Sequence, residues 1–148
     1  MTLALVQVPD QLTIVALGPG SGRFGPSSDY VLDCWTPIVG PSTVLLWRRL
    51  ALVAVEAGSG YAVVDTADMF ASLGLGAGMG KNAIGPRTIA RMVGFGLARC
   101  HGSRLLGVRT ALDFLSAGQS VRLVGRALRA HEVASDRWTT RCGEGASV

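Results

Sequence analysis

The sequence predicts an α+β fold that is mainly α, and three observations carry that expectation. Apolar residues fill 49% of the 148 positions and charged residues only 16%, which suits one buried core in a chain too short for two. Apolar residues recur at helical spacing, between capping residues, over 43–57, 67–73, 86–94 and 116–131. Only brief β-prone stretches interrupt them: YAVV, and the pair FGLARC and SRLLGVRT.

Residues 1–35 read as an N-terminal extension and linker. The run LTIVAL has the composition of a strand, but LGPGSGRFGPSSD after it is rich in Gly, Pro and Ser. No positive region precedes the apolar part of MTLALVQVPDQL, so no signal peptide is expected. A membrane span is not expected either, since Arg48 and Arg49 cut the run TVLLWRRLALVAV. The expected location is the cytoplasm, at the nucleoid, with no membrane partner.

The first helix follows GPST, where Ser42 or Thr43 supplies the cap, and it runs over 43–57 to Gly58, with Leu46, Leu50, Val53 and Ala57 facing the core. A short strand, Tyr61 to Val64, comes next. Asp65 or Thr66 then caps a second helix whose apolar face is Met69, Phe70 and Leu73. Gly74 suits its C-terminal position. The third helix, 86–94, starts on Pro86; Ile89, Met92 and Val93 form its packing face, and Arg87 and Arg91, four apart, lie nearly opposite. A hairpin over 95–110 follows. Ser116 and Gln119 stand at capping-box spacing ahead of a last helix with an apolar stripe of Val121, Val124 and Leu128 and a basic stripe of Arg122, Arg126 and Arg129. That apolar stripe either completes the monomer core, the favoured use, or pairs with a second copy to give a homodimer. Residues 132–148 lack periodicity and read as a flexible tail. Trp35 and Trp47 are expected to pack.

The stretch SLGLGAGMGKN has the composition of a phosphate-binding loop but not its spacing. A P-loop needs Gly where Leu75 stands and a hydroxyl where Asn82 stands, and the dinucleotide fingerprint fails at Met79 and Lys81. The glycines therefore read as a long connector between helices. Cys34, Cys100 and Cys142 are far apart, with no CxxC pair, so neither a disulfide framework nor a metal site is expected. Glu56, Asp65 and Asp68 sit at helix ends without a His or Cys partner at catalytic spacing, which points to capping, not to an enzyme. No cofactor is expected.

Charge gives the functional signal. Residues 41–131 hold eleven Lys or Arg against four Asp or Glu, and no acid falls between Asp68 and Asp113. Lys81, Arg87, Arg91, Arg99, Arg104 and Arg109 all lie in that gap, as expected for a polyanionic partner. Thirteen of the fourteen basic residues are arginine, whose planar fork suits phosphate and guanine, although GC-rich coding gives the same bias.

The order helix, strand, helix, helix, hairpin is that of a winged helix-turn-helix, a three-helix core plus a β-hairpin wing, here with an additional C-terminal helix over residues 36–131. The segments PIVGPSTVLLWRRLA, VVDTADMFASLGLGAGMGKN, RTIARMVGFGLAR and LGVRTAL resemble the small winged-helix proteins of actinobacteria, in which an L-G-x-G-x-G-x-N loop precedes the recognition helix. The resemblance spans roughly Thr36 to His131. It implies binding of double-stranded DNA, as a sequence-specific transcriptional regulator, with helix 86–94 in the major groove and hairpin 95–110 as the wing. The residues expected at DNA are Lys81, Asn82, Arg87, Thr88, Arg91, Arg99 and Arg104. The alternatives are a protein-interaction module that docks an acidic partner, or an accessory protein of replication or a mobile element.

Overall fold

A computed structural model describes residues 8–17 and 22–145; parts of the expected extension, linker and tail (1–7, 18–21 and 146–148) lie outside the described residues. The chain is α+β, with six α-helices and one four-stranded mixed sheet among the described residues. The strands are β1 (Gln11–Ala16), β2 (Ala62–Asp65), β3 (Ala98–His101) and β4 (Leu105–Val108), in the order β2-β1-β4-β3. The helices are α1 (Thr36–Val39), entered from a π-helical stretch at Val31–Trp35, then α2 (Pro41–Ala57), α3 (Thr66–Ser72), α4 (Ile84–Gly94), α5 (Ala117–Ser120) and α6 (Gly125–Gly145).

The main departure from the expected fold is the role of residues 1–35. β1 is a central strand, antiparallel to β2 with Leu12 opposite Val64, and parallel to β4 with Ile14 opposite Leu106. Leu12 and Ile14 are buried, as period-2 alternation requires of a strand with one face on the core. Further on, Phe24 exchanges two backbone hydrogen bonds with Leu112, and Tyr30, Val31, Cys34 and Trp35 are buried. The linker reading fails there because these apolar side chains find partners near the other end of the chain.

α2 lies across β1, β2 and β4 and against α4, and its buried stripe is Thr43, Leu46, Trp47, Leu50, Ala51 and Ala54. Leu46 and Leu50 hold their expected places, whereas Val53 and Ala57 are only half-buried. The helix begins at Pro41, with Gly40 at the cap position (φ 93°) and no side-chain cap, so neither Ser42 nor Thr43 acts as one. Proline at the first helical position needs no N–H partner. Asp65 does cap α3, accepting from the Asp68 N–H at 2.9 Å.

Buried aromatic residues hold the irregular segment after β4. Trp47 Nε1 donates to the Arg109 carbonyl (2.8 Å), Trp35 Nε1 donates to the Asp113 carbonyl (3.0 Å), and the Tyr30 hydroxyl accepts from the Leu115 N–H (3.0 Å). Each ring sits in the core while its polar edge satisfies backbone that no helix or sheet satisfies.

The expected single helix over 116–131 is two. The Ser116–Gln119 capping box forms, but only for the short α5; α6 then starts at Gly125, whose φ of +56° is incompatible with a continuous helix. The break rotates the apolar stripe out of register. Val121 and Val124 are exposed, and Leu123 takes the buried place. α6 also continues through the expected tail to Gly145.

Candidate functional site

The two helices that flank the glycine-rich stretch end in the same way. After α3, the Leu75 N–H reaches the Phe70 carbonyl (2.9 Å) and the Gly74 N–H the Ala71 carbonyl (3.0 Å), with Gly74 at φ +75°. After α4, the Leu97 N–H reaches the Met92 carbonyl and the Gly96 N–H the Val93 carbonyl, both at 3.0 Å, with Gly96 again at φ +75°. Both are Schellman caps, in which a left-handed glycine lets the chain fold back and a following Leu enters the core. Leu75 and Leu97 are indeed buried. The glycine-rich stretch is thus a connector pinned at Leu75 and, through the Ala83 N–H to Gly80 carbonyl bond, at the entry to α4.

α4 begins at Ile84, two residues before Pro86, with Ala83 extended at the cap position. Ile89 and Met92 are buried, Val93 is half-buried, and Ile84, Arg87, Ala90 and Arg91 form the outward face. Gly85 permits this seating. A Cβ there would collide with Cδ2 of Phe70, so α4 approaches α3 as closely as a glycine allows.

Between α4 and the α1–α2 junction lies a groove of about 940 Å³. Lys81, Asn82, Arg87 and Arg91 line one side, and Pro41 and Ser42 at the start of α2 line the other. No carboxylate lines it. α2 also contributes the positive end of its dipole, with the Ser42 and Thr43 N–H groups in its first turn. This wall was not expected from the sequence, although the pair Gly40-Pro41 ahead of a helical run is the signal that marks it.

The expected site residues separate into three groups. Lys81, Asn82 and Arg87 are exposed in the groove. Arg91 also borders it, but its Nε donates to the Val39 carbonyl at 2.8 Å and its guanidinium lies 5.7 Å from the Phe95 ring, so it braces α4 against the α1–α2 junction. Thr88 points inward: it is buried, and its Oγ1 donates to the Ile84 carbonyl at 2.7 Å, which removes it from any external readout. Arg99 on β3 and Arg104 at the hairpin turn are exposed and do not line the groove. The hairpin itself is anchored by β4 and by the Thr13 N–H, which donates to the Arg104 carbonyl at 2.8 Å.

Cys34 and Cys100 lack the environment of a nucleophile. Burial pushes the Cys34 thiol up to about 11 and raises that of Cys100, so both stay protonated near neutral pH. Among the described residues no three His, Cys, Asp or Glu side chains gather to hold a metal, and no helix is long and apolar enough to cross a membrane. No family model, curated protein or solved structure matches the chain.

Proposed function

We propose that the protein binds double-stranded DNA, sequence-specifically and as a transcriptional regulator, with α4 in the major groove. The single observation that carries this reading is the groove between α2 and α4, where Lys81 and Arg87 meet the N-terminal turn of α2 with no carboxylate between them. Phosphate suits such a surface: backbone N–H groups at a helix start and long cationic side chains both complement its charge.

In this reading the exposed Arg87, in the first helical turn and a half of α4, reaches base edges, and its fork matches O6 and N7 of guanine. Ile84, 57% exposed one turn earlier, contacts a thymine methyl. Lys81, Asn82 and the start of α2 hold the phosphates that set the register. The element order α2, β2, α3, α4, then the β3–β4 hairpin agrees with a winged helix-turn-helix, and Arg99 and Arg104 on the hairpin serve as wing contacts to the backbone. β1, inserted between β2 and β4, widens the sheet behind the helices.

The test is fluorescence anisotropy of a labelled random-sequence duplex at two salt concentrations. About three neutralised phosphates, at Lys81, Arg99 and Arg104, give a slope of log affinity against log salt near −3. Binding that is absent, or indifferent to salt, rejects the proposal and favours docking of an acidic protein by the same face. Sequencing DNA retained from a genomic library then supplies the preferred site.

A further inference from the structure

A second groove, of about 610 Å³, runs between α6, the segment from Arg23 to Asp33, and Phe114. It shares no lining residue with the groove of α2 and α4. Its floor is aromatic. Phe24 and Tyr30 stack with centroids 4.2 Å apart and 17° between planes, and Phe114 meets both edge-on, at 4.9 and 5.3 Å. At one end Trp138 is covered by the Arg23 guanidinium, 4.1 Å from the ring centroid, and Arg23 is held there by Asp113 at 3.3 Å.

The wall formed by α6 is cationic. Arg126, Arg129, Arg137 and Arg141 all line the groove, and among the described residues none of the four has an ion-pair or hydrogen-bond partner. Asp29 and Asp33 stand among the lining residues, yet neither comes within ion-pair distance of an arginine. Four guanidinium groups set along one side of a concave aromatic surface give that side an excess of positive charge, which attracts an anion. Arginine forks grip a carboxylate or a phosphate in two places, while flat rings accept a planar partner by stacking or edge contact. The volume falls within the range of roughly 300–1,000 Å³ usual for small-ligand sites.

We propose that this groove binds a small planar aromatic anion, an aryl carboxylate or an aryl phosphate. The ring lies against the half-buried Phe114 and Phe24, and the acid faces Arg129 and Arg137 of α6. Trp138 and Arg23 close the end of the groove.

Isothermal titration calorimetry of the full chain with salicylate, indole-3-acetate and phenyl phosphate tests this, with acetate and inorganic phosphate as non-aromatic controls. The expected result is 1:1 binding of at least one aromatic anion with Kd below about 1 mM, corresponding to roughly 4 kcal/mol. Preference for the carboxylates or for phenyl phosphate identifies the acid group. The Arg129→Gln/Arg137→Gln variant, changed only at exposed positions, should bind at least about tenfold more weakly with an unaltered circular dichroism spectrum. No binding of any aromatic anion, equal binding of acetate or inorganic phosphate, or affinity unchanged in the double variant overturns the proposal.

Discussion

Arg91 donates through Nε to the carbonyl of Val39 at 2.8 Å, which ties the outward face of α4 to the turn that launches α2. The two arginines of α4 are therefore not equivalent. Arg91 fixes the groove, and Arg87, exposed and one turn closer to the helix start, lines it without bracing it.

Replacing Arg91 with Ala should cost about 1–2 kcal/mol of folding stability, because the Val39 carbonyl loses a charge-assisted donor. Arg91→Lys should not restore it, since Nε and the planar fork are missing. Arg87→Ala should stay within about 0.5 kcal/mol of the parent, as exposed changes usually do. Urea unfolding of the three variants makes the comparison; equal loss in Arg87→Ala and Arg91→Ala would contradict the division of roles.

Glycines in α4 should differ in the same way. Gly85→Ala places a methyl against the Phe70 ring and should destabilise by about 1–3 kcal/mol, the usual range for overpacking. Gly94→Ala meets nothing within 4 Å and should be neutral or raise stability by up to about 1 kcal/mol. Melting temperatures that move in the same direction and by the same amount would show that α4 does not seat on Phe70 as described.

Because β1 is central, Leu12→Ala or Ile14→Ala should each cost about 2–5 kcal/mol, a core-sized loss from a segment expected to belong to an N-terminal extension. Denaturant midpoints check this, and a change under about 0.5 kcal/mol would return residues 11–16 to the status of an extension.

What was and was not legible in the sequence follows from the range of the interactions. The faces of α2 and α4, the Asp65 cap and the β3–β4 hairpin depend on residues within a turn or two of one another, so spacing alone exposes them. β1 depends on β4, some ninety positions away along the chain, and a six-residue apolar strand carries no sign of that partner. The break before α6 rests on one glycine adopting φ +56° inside a pattern that reads as continuous helix. In the site, Lys81, Asn82 and Arg87 were legible as exposed polar residues beside a packing face. Thr88 was not, since its hydroxyl turns back to the Ile84 carbonyl, and neither was the part played by the start of α2.

Alkali should destabilise the protein through two buried groups, Tyr30 and Cys34. Burial pushes the Tyr30 hydroxyl from 10.0 up to about 12, with the Leu115 N–H offsetting only part of the rise, and burial pushes the Cys34 thiol from 9.0 up to about 11. Raised values mean that folding favours the protonated forms. Their contribution is complete below pH 9 and is lost as pH climbs through 11 and 12. Stability measured in urea should therefore fall between pH 9 and 12, Cys34→Ala removing the part that begins near 9 and Tyr30→Phe the part above 10. A flat profile in the parent would contradict the burial of both groups.

The groove between α2 and α4 as the DNA-facing surface is tested most directly by the salt dependence of binding to one labelled duplex. The Lys81→Ala/Arg87→Ala variant should weaken binding, through the lost base contact of Arg87, and flatten the slope of log affinity against log salt by about one unit, roughly 0.9 for the phosphate that Lys81 no longer neutralises. Arg129→Ala, on the other groove, should leave that slope unchanged. A slope unaltered by the Lys81/Arg87 pair, or flattened equally by Arg129→Ala, would contradict it.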